Sequence, residues 1–147
     1  MFTRILFPTD FSETSRHAMY FVNQLKQNGL KEVVVLHVTE NDYYLNKVEP
    51  FLPKDIIGQA KSKIDQQTRQ ELQATERELK AGGFSVKIVT RNGHPVTEIL
   101  KVEKEEDVSG VVMGSHNPSG LLEKFFGSSI TEAVVNKSKL PVLVVKH

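Results

Sequence analysis

The chain has 147 residues, 39% of them hydrophobic, and no cysteine, so it buries roughly 70% of its unfolded surface without staples and excludes disulfides, thiolate catalysis and cysteine-bound zinc. Its 19 basic and 18 acidic residues balance to a net charge of +1, which removes the chain-wide positive charge that nucleic-acid binding starts from. No apolar run approaches the roughly 18 residues that span a bilayer, and the N-terminal run is too short for a signal peptide, so a cytoplasmic protein without membrane contact is expected.

The first apolar run, Ile5-Leu6-Phe7, reads as a buried strand. Ser12 can cap a helix whose stripe is Ala18, Phe21, Val22 and Leu25, with Gly29 ending it. Val33 to Val38 is the second strand. The irregular stretch from Asn41 to Pro53 carries Tyr43, Tyr44 and Phe51, and reads as a flap or contact surface. A long helix follows, with Ile57, Ala60, Ile64, Thr68, Leu72, Thr75 and Leu79 recurring at three or four, until Gly82-Gly83. Phe84 to Val89 alternates apolar and polar, as a half-exposed edge strand does. Pro95 opens a third helix with Val96, Ile99 and Leu100 inward. Its end, from Lys101 to Asp107, reads as a solvated charged face. Val111 to Met113 is the fourth strand; a fourth helix runs from about Ser128 to Ser138; Val142 to Val145 is the last strand.

Strands alternating with helices predict an α/β fold: one domain over residues 1–147, a five-stranded parallel sheet with helices on both faces and right-handed crossovers. Two stretches stand out. Phe7-Pro8-Thr9-Asp10 closes the first strand, and Met113-Gly114-Ser115-His116-Asn117 follows the fourth, ahead of Phe126-Gly127-Ser128-Ser129-Ile130. A helix opening with glycine and two hydroxyls offers unpaired N–H groups and a partial positive charge to a phosphate. A dinucleotide-binding domain needs G-x-G-x-x-G after its first strand, where this chain has Pro8-Thr9-Asp10-Phe11-Ser12. A phosphoacceptor receiver domain needs an aspartate ending the third strand, where this chain has Thr90-Arg91.

The chain resembles the universal stress protein family over essentially its whole length. The resemblance is carried by Ile5 through Ser12, Val35-Leu36-His37-Val38, Gly93-His94-Pro95, Gly114-Ser115-His116, Gly127-Ser128 and Pro141 through Val145. Nucleotide-binding members show glycine, two residues, glycine, nine residues, glycine, then serine or threonine. Gly114 takes the first place, Asn117 replaces the second glycine, and Gly127-Ser128 complete the pattern in register. Pro118 pushes Asn117 towards extended backbone and offers no N–H to a phosphate, so the loop departs from the family form there, with Gly120 available for a sharp turn.

The resemblance implies strand order 3-2-1-4-5, a crevice between the first and fourth strands, and homodimers paired through the last strand, residues 141–146. It implies a site for ATP or a related adenine nucleotide, with Mg²⁺ arriving on the phosphates. Pro8, Thr9, Val38 and Met113 would wall the adenine, and Asp10 would take the ribose hydroxyls. Gly114, Ser115, His116, Asn117, Gly127, Ser128, Ser129 and Ile130 would surround the phosphates. From the residues alone, Asp10 equally shapes a turn, Ser128 equally caps a helix, and Val38 and Met113 equally fill core. His37 reads as a satisfied structural residue, and His116 lacks an evident carboxylate or nucleophile to work with. No catalytic residue or protein metal site is expected. A regulatory nucleotide-binding protein of the stress response is the leading expectation, beside a dimeric interaction module without nucleotide and a slow ATP hydrolase.

Overall fold

The computed structural model describes residues 2–40, 49–115 and 123–146, the stretch 123–129 by its backbone alone. Strand β1 (Arg4–Pro8) is followed by helix α1 (Glu13–Leu25), β2 (Glu32–Thr39), α2 (Lys54–Ala81), β3 (Ser85–Asn92), α3 (Pro95–Glu105), β4 (Gly110–Gly114), α4 (Glu123–Lys137) and β5 (Val142–Val145). Short 3-10 turns lie at Lys26–Asn28 and Glu49–Phe51. The strands form one sheet in the order β3-β2-β1-β4-β5, parallel throughout. This is the expected α/β architecture and strand order.

Period-two alternation splits the sheet's side chains between two cores. Ile5, Phe7, Val33 and Val35 pack on one face against Ala18, Met19 and Val22 of α1 and Leu72 and Leu79 of α2. Leu6, Val34, Leu36, Val111 and Met113 pack on the other, against Val96, Ile99 and Val102 of α3 and Val134 of α4. Strand β3 alternates in exposure as its sequence predicts for an edge.

Three helical expectations are corrected. The buried stripe of α1 uses Met19 instead of Phe21, which stays 38% exposed. In α2 only Leu72, Thr75 and Leu79 are buried; Ile57, Ala60, Ile64 and Thr68 are not. The cause is length: 28 helical residues reach about 42 Å, and an eight-residue strand about 26 Å, so the first half of α2 overshoots the sheet. Helix α4 is described from Glu123 rather than from near Ser128.

The charged run after Leu100 is also less solvated than its composition suggests. Glu103 is buried and accepts a hydrogen bond from the Ser138 hydroxyl (2.9 Å), tying α3 to the end of α4. Glu106 pairs with Arg4 (2.8 Å) and Lys87 (2.8 Å), and Arg4 also pairs with Glu32 (2.7 Å). This network clamps the N-terminal ends of the strands. The hydrogen bond from Lys87, with help from Arg4, holds the Glu106 carboxyl below the usual carboxylate range against the opposing effect of burial. A depressed folded-state value means the pair's stabilisation is fully present above the unfolded carboxylate pKa and is lost as pH falls through the folded one. Glu106→Gln should therefore lower stability at neutral pH and flatten its acid limb, read as urea midpoints between about pH 6 and 3.

Candidate functional site

The opposite, C-terminal end of the sheet carries most of the site residues expected from sequence. Strand β1 pairs with β2 along its whole length, from Arg4↔Glu32 to Pro8↔Leu36. With β4 it pairs only at Ile5↔Gly110 and Leu6↔Val111. Proline explains the difference. The Thr9 N–H donates to the Leu36 carbonyl (2.9 Å), towards β2, so by strand alternation Pro8 faces β4, and there it has no N–H to offer. The ladder stops at the point where chain order reverses, the usual ligand position in such sheets.

Val38 gains its meaning from the same alternation. Leu36 turns its carbonyl to β1; two residues on, by strand alternation, the Val38 peptide faces the same way, past Thr9 and beyond the end of β1. Its side chain is half-buried against the core of α3 and α4. Met113 is buried among that core, so its side chain acts first as packing.

Asp10 is exposed, and its carboxylate is held in place: Oδ1 accepts from the Ser12 N–H (3.0 Å) and the Ser15 hydroxyl (2.8 Å). Ser12 caps α1, accepting from the Ser15 N–H (3.2 Å). Between them Phe11 adopts a left-handed φ of 63°, a conformation costing a residue with a Cβ about 1–2 kcal/mol. Two contacts offset this strain. The Phe11 N–H donates to the Thr9 hydroxyl (3.1 Å), and the Phe11 ring stacks on His37, centroids 4.5 Å apart and planes 30° apart. His37 Nδ1 lies 2.9 Å from the Thr9 carbonyl oxygen. Phe11, Ser15 and His37 were not among the site residues expected from sequence. The apolar strand pattern pointed His37 inward, but its partner, a carbonyl 28 residues away, has no sequence signal.

Gly114 meets α1 at close range. A Cβ there would lie 2.8 Å from the Thr14 carbonyl oxygen and 2.9 Å from its Cγ2, so the glycine is required for packing whether or not a phosphate lies nearby. The Ser115 N–H donates to the Val145 carbonyl (2.8 Å), extending the β4–β5 ladder. Gly127, Ser128 and Ser129 fall in the second turn of α4, where an α-helix bonds each N–H to the carbonyl four residues back. They do not form the helix start expected from sequence. Ile130 is half-buried against the α3–α4 core. His116 and Asn117, with the intervening loop, lie outside the described residues, as do Tyr43 and Tyr44.

Pro8, Thr9, Asp10, Val38, Gly114 and Ser115 thus sit at one end of the sheet, beyond the last β1–β4 pair. Among the described residues no three His, Asp or Glu side chains converge as a metal site, and no helix is long and apolar enough to cross a membrane.

A sequence model described as the universal stress protein family matches residues 1–146. The universal stress protein MJ0577 of Methanocaldococcus jannaschii is 37% identical, over 100% of this chain and 96% of its own length. A solved structure of MJ0577 superposes with a TM-score of 0.81 at 35% identity, covering 100% of this chain and 97% of that one. At 18% identity a universal stress protein in complex with cAMP shares the fold with a TM-score of 0.68, over 99% of this chain and 97% of that one. One from Archaeoglobus fulgidus, in complex with dAMP, does so at 17% and 0.61, over 99% and 98%. By the match along 146 residues and by the likeness to MJ0577, the chain belongs to the universal stress protein family.

Proposed function

We propose that this chain binds ATP or a related adenine nucleotide as a regulatory ligand. The observation carrying the reading is the end of the β1–β4 ladder at Leu6↔Val111, at the end of the sheet where Asp10 follows β1 and Val38 lies near the end of β2. An adenine edge would pair with the Val38 N–H and C=O, and the ribose hydroxyls would donate to Asp10. Solved relatives in complex with cAMP and dAMP lend the adenine class support from within the family. The phosphates would extend from Gly114 and Ser115 towards Gly127, Ser128 and Ser129, with His116 and Asn117 in the loop between. Mg²⁺ would be held mainly by phosphate oxygens, since it keeps several waters and needs few protein ligands. The open edge of β5, where Leu143 is 45% exposed, suits isologous pairing of residues 141–146 with a second copy.

Titration calorimetry with ATP and Mg²⁺ tests the reading. The parent chain should bind, and Asp10→Ala should weaken binding about tenfold or more, the worth of hydrogen bonds to a charged group. No binding at millimolar nucleotide overturns it.

One observation favours a second reading, a dimeric interaction module without nucleotide. With α4 starting at Glu123, the Gly127–Ser129 amides are engaged within the helix instead of facing a ligand. The same titration separates the two: the module gives no heat with ATP yet sediments as a dimer of the 16.6 kDa chain.

A further inference from the structure

We propose that His37 is a positioning residue that sets the ribose-reading geometry of Asp10, an inference that rests on the adenine-nucleotide reading above. Because a carbonyl only accepts, the 2.9 Å approach of Nδ1 to the Thr9 oxygen places the ring proton on Nδ1 and makes it the donor. His37 therefore grips the residue before Asp10 by a hydrogen bond and the residue after it by the Phe11 stack. Thr9 closes the loop, its hydroxyl accepting from the Phe11 N–H. The left-handed backbone at Phe11 turns the chain sharply enough for Asp10 Oδ1 to reach both Ser12 and Ser15. Without the clamp, Phe11 relaxes towards ordinary φ and the carboxylate swings away from the ribose.

A histidine that merely fills space beside a strand end makes a different prediction from one that aims a carboxylate. Asparagine carries its amide nitrogen at the same covalent position as Nδ1, so His37→Asn keeps the donor, whereas His37→Leu removes it. The full chain and both variants are titrated with ATP and with 2′,3′-dideoxy-ATP, which lacks the hydroxyls Asp10 reads. His37→Leu is expected to weaken ATP about tenfold and dideoxy-ATP by less than about twofold, and His37→Asn, which keeps the donor but not the stacked ring, to recover part of the ATP affinity. A ¹⁵N spectrum of the parent imidazole should show the proton on Nδ1. Equal losses for the two nucleotides, no recovery in His37→Asn, or an Nδ1 without a proton would overturn the proposal. If the parent binds neither nucleotide, the adenine reading falls by itself, and amide exchange decides the clamp. Faster exchange at Phe11 and Ser12 in His37→Leu, slowed again in His37→Asn, sustains it; unchanged exchange refutes it.

Discussion

Gly114→Ala should cost about 1–3 kcal/mol of stability, the usual range for forcing an extra methyl into a packed interior. The added Cβ would sit 2.8 Å from the Thr14 carbonyl oxygen and 2.9 Å from the Thr14 carbonyl carbon. Those are main-chain atoms in the first turn of α1, and that turn is held by the Ser12 cap and by Ser15 on Asp10. Neither can step aside as a flexible side chain would. Thr14→Ser removes the Cγ2 contact but leaves the carbonyl, so the double variant should recover only part of the loss. Urea unfolding of the two variants reads both effects, and a Gly114→Ala change within about 0.5 kcal/mol of the parent, the range of an ordinary surface substitution, would contradict the account. The displaced turn carries the partners of Asp10, so nucleotide affinity should fall with stability. The motif glycine would thus be required even in a relative that had lost its ligand.

This double duty marks where the sequence was legible and where it was not. Ile5, Val33–Leu36 and Val111 announced a two-faced parallel sheet through nearly unbroken apolar runs, and the alternation of β3 marked an edge; local pattern decides such features. Ser12, Pro95 and Gly29 announced helix boundaries because their backbone chemistry is local too. The overshoot of α2 escaped, since a periodic stripe does not say how far the facing sheet extends. Glu103 escaped as well: its burial depends on Ser138, 35 residues away. At the site, Asp10 was legible as a turn residue after a strand. The clamp from His37 and the collision awaiting a Cβ at position 114 both come from packing between elements distant in sequence, and no spacing encodes them.

Gly127→Ala should move stability and ligand affinity in opposite directions. Gly127 is the fifth residue of α4, and glycine inside a helix is destabilising by roughly 0.5–1 kcal/mol relative to alanine. Alanine there should raise the Tm of the unliganded chain by about 2–4 °C per kcal/mol gained. Seating phosphate on the Gly127, Ser128 and Ser129 amides requires the turn ahead of them to open, because within the helix those donors point at carbonyls four residues back. A glycine at that point makes opening cheaper, and it lets the backbone approach a phosphate without a Cβ between them. The substitution strengthens the closed helix and obstructs the open one, so ATP affinity should fall about fivefold or more, the equilibrium worth of one kcal/mol or above. Thermal unfolding without ligand and calorimetry with ATP measure the two halves separately. A rise in both would mean that phosphate does not reach these amides, and a fall in both would mean that the glycine serves packing in the closed helix. Only opposing signs identify Gly127 as the point where helix formation and phosphate binding compete for the same N–H groups.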